Sequence, residues 1–207
     1  MAYSAGFTPH PKISYANAAP TGVASEAEYV EIAVVQRCDP ELLRAELDGS
    51  LPPGLDVLEV VEATPGSSLA DRLEASVYQV RLDDVPDAVA RAAAARFLAA
   101  GSVPIERLTK NGLRQFDARP AVLALTVQDG ADGQAGAAEE SPDRPCAILR
   151  VVVRHTTPAV RPDDVLEALR QVADLAPPVP PQVTRLAQGP LDLAADDVSD
   201  PLVTDRA

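Results

Sequence analysis

Near the start of the chain, the residues from Gly6 to Lys12 read Gly-Phe-Thr-Pro-His-Pro-Lys and set His10, one of two histidines, between two prolines and beside Lys12. A histidine titrates near neutral pH, so it can act as a general acid or base, or donate a bond to an anion. Gly6 permits backbone angles closed to other residues, while Pro9 and Pro11 fix φ on either side of His10. A loop stiffened in this way presents His10 and Lys12 at low entropic cost. Two roles stay open for it. It is a binding or catalytic loop with His10 as the candidate catalytic residue, or a proline-rich entry to a strand whose histidine merely caps a neighbour.

A second candidate spans residues 110–120, Lys-Asn-Gly-Leu-Arg-Gln-Phe-Asp-Ala-Arg-Pro, read as the connection between two strands. Lys110, Arg114 and Arg119, with two amides and Phe116, are the mixture that holds a phosphate backbone and stacks a base. Asp117 and Arg119 could equally form a structural ion pair at the start of a strand. Familiar catalytic spacings are missing: there is no nucleophile elbow, phosphate-cradling loop, helical His pair or cysteine triplet, and no metal site is expected. His155 closes an apolar strand and reads as structural. Cys38 and Cys146 read as buried, reduced thiols.

The elements that must position these residues follow from periodicity. Residues 13–17 and 28–35 alternate as two strands of a hairpin joined around Pro20-Thr21-Gly22. Asp39 caps a helix with Pro40 at its first position that runs to Gly49, and residues 55–63 read as the next strand. Beyond Pro65-Gly66, strands are expected at 76–82, 103–108, 119–127, 147–154 and 183–186, and helices at 85–100 and 163–173. Residues 177–181 form a polyproline spacer. With one extra strand in the middle, these elements follow the order strand, helix, strand, strand, helix, strand of the ferredoxin-like split βαβ arrangement. The expected fold is therefore α+β, with tandem ferredoxin-like domains. Residues 1–66 form the first, lacking its opening strand and helix, and residues 67–188 the second, with a disordered insert at 129–145. Residues 189–207 form an acidic disordered tail. With almost no large apolar residue, the insert is expected to be replaceable by a short turn without loss of folding.

Among 207 residues, 46% are apolar but only 3% aromatic, so Ala, Val and Leu must build the cores. The net charge of −13 argues against a nucleic-acid partner, but the insert and the tail together carry −8 of it, which leaves room for basic patches elsewhere. No apolar run is long enough to span a membrane, and the expected location is the cytoplasm.

The stretch from Gly6 to Tyr29, with Gly6, Phe7, Pro9, His10, Pro11, Lys12, Ile13 and Ser14 followed by Pro20, Gly22, Val23, Ser25 and Glu28-Tyr29, resembles a bacterial family of radical-SAM-associated proteins of unknown function. The segments SLADRLEASVYQV, FDARP and VRPDDVLEAL extend that resemblance to about residue 189. Members are fused to, or encoded beside, cobalamin-binding radical SAM proteins. The family opens with a further strand and helix carrying a Ser-His-Leu-Asp-like motif, so the resemblance implies a chain beginning inside its first domain. It further implies an accessory protein without a cofactor of its own. The partner radical SAM enzyme would use S-adenosylmethionine, an iron–sulfur cluster and cobalamin. RNA is the expected ligand, contacted by His10, Lys12, Lys110, Arg114 and Arg119. The alternatives are an RNA-cleaving or RNA-modifying enzyme using His10, or a protein-protein scaffold without RNA.

Overall fold

The computed structural model describes residues 1–5, 7–110, 112–128 and 144–206. In chain order the strands are β1 (Ile13–Ala16), β2 (Ala24–Ser25), β3 (Tyr29–Ile32), β4 (Ala75–Asp83), β5 (Pro104–Thr109), β6 (Gly112–Asp117), β7 (Val122–Gln128), β8 (Cys146–Arg154), β9 (Gln182–Gly189), β10 (Leu191–Asp192) and β11 (Asp197–Val198). The helices are α1 (Pro40–Asp48), α2 (Leu69–Arg72), α3 (Asp87–Ala99) and α4 (Pro162–Ala173). The fold is α+β. One compact unit holds Met1–Ala18, Glu28–Arg72 and Asp200–Ala207, and the other holds Ala19–Ala27 and Leu73–Ser199. Relative to the expected division after residue 66, α2 falls in the first unit and residues 19–27 in the second.

In the first unit β1 and β3 pair antiparallel, Ile13 opposite Ile32 and Tyr15 opposite Val30. The segment between them is not a simple turn, because β2 pairs in parallel with β9 of the second unit's sheet. Helix α1 starts where the Asp39 carboxylate accepts bonds from the Glu41 and Leu42 amides, with Pro40 at the first helical position. Residues 55–63, expected as a strand, form none. The Val57 amide instead donates to the Asp48 carboxylate at 2.8 Å and its carbonyl accepts from Arg44 at 3.4 Å. Polar side chains of α1 thus take backbone groups that a ladder would have used. The expected disordered tail is also corrected, since its acids find cations. Asp205 pairs with Arg72 at 2.6 Å, and Arg206 bridges Glu59 and Asp200.

The second unit is built on a five-stranded sheet in the order β2-β9-β4-β8-β7. Apart from the β2–β9 pair, its neighbours are antiparallel, with β4 and β8 in register over nine residues. Tyr78, Val80 and Leu82 of β4 and Leu149, Val151 and Val153 of β8 alternate onto the face covered by α3 and α4. The alanines Ala90, Ala93 and Ala94 of α3 join Phe97, Val165 and Leu169 in this core. Small side chains let the helices approach closely, so a core with few aromatic rings still fills its space. Strands β5 and β6 form a separate two-stranded hairpin inserted between α3 and β7. Residues 110–120, expected as a connecting loop, are thus largely strand β6 and a single 3-10 turn at Arg119–Ala121. Of the insert at 129–145, only Arg144 and Pro145 lie within the described residues, and Arg144 pairs with Asp84 at 3.2 Å.

Candidate functional site

The first candidate loop is closed at its neck by its own backbone. The Ser4 amide donates to the His10 carbonyl at 2.8 Å, the His10 amide donates to Ser4 Oγ at 3.0 Å, and Tyr3 bridges to Pro11. Just below the neck, three segments are tied together: Lys12 donates to Ala2, Ala2 to Ala33, and Ala33 to Lys12. Each such bond contributes about 1 kcal/mol net, enough together to hold the loop in one shape. His10, Lys12, Phe7, Pro9 and Pro11 are all exposed, whereas Gly6 lies outside the described residues. Ser14 is an exposed β1 residue opposite Glu31, on the ribbon face that also carries the buried Ala16.

The opposite ribbon face was not foreseen as a site. Ile13 and Tyr15, facing Ile32 and Val30, form an apolar strip that includes the 71% exposed Tyr15. Tyr3 is 56% exposed and Phe7 is fully exposed. The chain has only seven aromatic residues, and the three exposed ones all lie between residues 3 and 15, in the segment that carries His10 and Lys12.

On the second candidate segment the cations divide into two kinds. Lys110 sits at the tip of the β5–β6 hairpin, where Thr109 pairs with Gly112 and Gly112 takes φ +105°, a conformation that favours glycine. Arg114 is exposed on β6, while the cross-strand pair Leu108 and Leu113 exposes two apolar side chains near the tip. Arg119, by contrast, is occupied by the fold. Its guanidinium donates to the Val122 carbonyl at 2.8 Å and to the Leu98 carbonyl at 3.2 Å, and lies 5.6 Å from the centre of the Phe97 ring. The expected Asp117–Arg119 ion pair is a backbone contact, since the Asp117 carboxylate accepts from the Arg119 and Val103 amides. Burial opposes ionisation of Asp117, but these bonds outweigh it and hold its carboxyl below the usual range.

The hairpin is anchored by Arg107. Its guanidinium donates to Asp164 at 2.7 Å and to the Ala159 carbonyl, and stacks over Phe116 at 4.8 Å. Asp164 also caps α4 by accepting from the Arg161 amide at 2.7 Å. Burial still raises the Asp164 carboxyl above its ordinary range, more than Arg107 and the Arg161 amide together lower it. Elsewhere in this unit, His155 Nδ1–H donates to the Leu73 carbonyl at 2.6 Å, which leaves Nε2 to accept from Ser76 Oγ at 2.8 Å. Burial, and then the nearby Arg185, depress the imidazole below its usual range despite the Leu73 bond. Ser76 is fully buried, so this Ser–His pair meets no substrate and is a structural contact. The two thiols are free. Cys38 is exposed, contrary to expectation, and the half-buried Cys146 is raised by burial and by donating to Asp83.

Among the described residues, no group of three or more His, Cys, Asp or Glu converges to hold a metal ion, and no helix is long and apolar enough to cross a membrane. With the loop, the ribbon and the hairpin in place, the family comparison covers most of the chain. Residues 1–162 match the model of an uncharacterized protein family conserved in bacteria, DUF2344. The chain belongs to this family. Both candidate segments, the His10 loop and the β5–β6 hairpin, fall inside the matched region, whereas most of α4, all of β9 and the β10–β11 hairpin follow it. No curated protein matches the chain.

Proposed function

We propose that this protein binds single-stranded RNA as an accessory to a radical SAM enzyme, with the first unit as its stacking surface. The observation that carries this reading is the clustering of all three exposed aromatic rings, Tyr3, Phe7 and Tyr15, in the segment that holds His10 and Lys12. Bases stack on such rings whatever their sequence, and adjacent cations hold the backbone. A neck closed by hydrogen bonds keeps the loop's entropy cost on binding small. Lys110 and Arg114, both exposed on the β5–β6 hairpin, offer a second cationic contact. The strand order β9-β4-β8-β7 with both long helices on one face supports reading the second unit as a ferredoxin-like domain, an architecture that often serves RNA recognition. The radical SAM partner, with its S-adenosylmethionine, iron–sulfur cluster and cobalamin, rests on the resemblance carried by the Gly6 to Lys12 motif.

The test is fluorescence anisotropy with a labelled single-stranded RNA of about a dozen nucleotides at low salt. Combining Phe7→Ala and Tyr15→Ala should weaken binding about tenfold or more, since each stacked base contributes about 1–3 kcal/mol. Unchanged affinity in that variant would remove the stacking surface from the reading. A His10→Ala protein that keeps its affinity yet stops cleaving or modifying the bound RNA would move it to the enzyme class. A protein-protein role has its own observation in the exposed Leu108–Leu113 pair.

A further inference from the structure

Strand β6 pairs with β5 on one side and, among the described residues, with no strand on the other. Gly112, Leu113, Arg114 and Gln115 of β6 are all exposed. The Ala118 amide donates to the Val103 carbonyl at 3.0 Å, in step with the register that runs from Pro104–Asp117 to Thr109–Gly112. Hydrogen-bonded and non-hydrogen-bonded pairs alternate along an antiparallel ladder, so Glu106–Gln115 and Leu108–Leu113 are of the second kind. The backbone N–H and C=O groups of Leu113 and Gln115 therefore point away from β5, and an edge of this kind can take a further strand. The outer edge of β5 is poorer, because Pro104 has no N–H and Arg107 ties that strand to α4 through Asp164.

The two faces along the β6 edge differ in chemistry. Leu113 lies with Leu108 on one face, and the two side chains are 65% and 79% exposed. On the other face Arg114 stands directly opposite Arg107. Arg107 has Asp164 at 2.7 Å, whereas Arg114 has no acidic partner among the described residues. Like charges set opposite each other repel, so this face holds an uncompensated cation. A strand that alternates acidic and apolar residues matches both faces at once, because its side chains alternate with period two. A second copy of the chain does not match, since joining two β6 edges antiparallel through Leu113 and Gln115 sets Arg114 against Arg114. Single-stranded RNA suits the cation but has no ladder of amides and carbonyls for the edge, and a leucine pair gives bases no ring to stack on.

We propose that the outer edge of β6 is a docking site for an extended segment of a partner protein that alternates acidic and apolar residues. The segment adds as a third strand, with an apolar side chain on Leu108 and Leu113 and an acidic one on Arg114. This inference goes beyond the RNA reading and does not depend on it, because the strand edge and the leucine pair are not RNA contacts and only Arg114 is shared.

The experiment is fluorescence anisotropy of the full chain with a labelled synthetic peptide of about eight residues alternating Glu and Val, long enough to cover β6. It is run at about 150 mM salt, where the chain's net negative charge is screened beyond about 8 Å. The Glu peptide should bind, and a Lys-for-Glu peptide should bind severalfold more weakly, a preference that Arg114→Gln narrows. Two further versions carry N-methyl groups at every Val amide or at every Glu amide. One set faces β6 and should lose about tenfold or more in affinity, while the other keeps it. On the protein side, Gln115→Pro removes one outward N–H at an edge position that tolerates proline and should weaken binding about fivefold, and Leu113→Thr about threefold. No binding of the Glu peptide, equal affinities for the two methylated versions, or affinity unchanged by Leu113→Thr would overturn the proposal. A wild-type dimer in sedimentation that Gln115→Pro dissolves would overturn it by giving the edge to a second copy. RNA binding that falls with Leu113→Thr would overturn it by giving the edge to RNA, whereas RNA affinity unchanged in that variant is the expected result. Loss of the RNA reading in the Phe7→Ala and Tyr15→Ala test leaves the peptide result to stand by itself.

Discussion

Replacing Arg107 by Met should be among the more damaging single changes in the second unit. The substitution keeps much of the side chain's apolar stem and removes the guanidinium, with its bond to Asp164, its bonds to the Ala159 carbonyl and its stack on Phe116. Asp164 has a 7% exposed side chain, so it is left as a buried carboxylate with the Arg161 amide as its remaining named donor. Breaking a fully buried pair costs about 3–5 kcal/mol. Arg107 is 22% exposed, and the Arg161 bond survives, so the expected loss is about 2–3 kcal/mol. For a chain of this length that corresponds to a fall of about 5–10 °C in Tm. The pH dependence has a definite sign. The Asp164 carboxyl is already raised above its ordinary 3.8 by burial, and losing Arg107 raises it further. A carboxyl raised in the folded state favours folding below its unfolded value, and that contribution is lost as pH rises through the folded value. The variant's deficit against wild type should therefore be largest near neutrality and shrink on acidification toward the carboxylate range. Urea unfolding followed by circular dichroism at several pH values measures both quantities. In an Asp164→Asn background the Arg107→Met change should cost distinctly less, because no charge is stranded. A loss below about 0.5 kcal/mol, the ordinary level for a surface change, or a deficit that grows as pH falls, would refute the assignment of Arg107 as the hairpin's anchor.

Other outcomes follow from the same geometry. Arg119→Ala should destabilise by about 1–3 kcal/mol, because it strands the Leu98 and Val122 carbonyls. Lys110→Ala and Arg114→Ala should leave stability within about 0.5 kcal/mol and reduce the salt slope of RNA binding, which urea titration and anisotropy would separate. Because the His155 imidazole is depressed in the folded state, its contribution to stability should be present above pH 6.5 and lost as pH falls through the lower folded value. His155→Gln should flatten that acid limb in unfolding curves. Thiol titration with a disulfide reagent should be biphasic, with the exposed Cys38 reacting first and Cys146, raised by burial, reacting slowly. Equal rates at both sites would contradict it.

Local chemistry alone determined much of the second unit. The alternation Ser76-Val-Tyr-Gln-Val-Arg-Leu82 and the apolar run at residues 147–153 can only be strands with a buried face, and Asp39-Pro40 and Arg161-Pro162 mark helix starts through backbone rules that act over one turn. The stiffness of the loop around His10 was likewise legible, because proline and glycine act on their own dihedrals. What tertiary structure decided was which polar and apolar side chains are left over. Arg107, Arg114 and Arg119 are the same residue type within thirteen positions, yet one is held by Asp164, one by two backbone carbonyls, and one is exposed. Tyr15 and Tyr78 occupy equivalent places in alternating strands. Tyr78 is buried because α3 and α4 close over its face, while Tyr15 stays exposed on a two-stranded ribbon. Residues 55–63 carry strand-forming side chains but remain outside any ladder, because the Val57 amide and carbonyl are already bonded to Asp48 and Arg44. The acids after residue 189, which composition reads as a solvated tail, include Asp197 and Asp205, and these meet Arg150 and Arg72, 47 and 133 positions earlier in the chain. Burial and ion pairing are properties of what the fold brings alongside a residue, and separations of that length carry no signature in any local window of sequence.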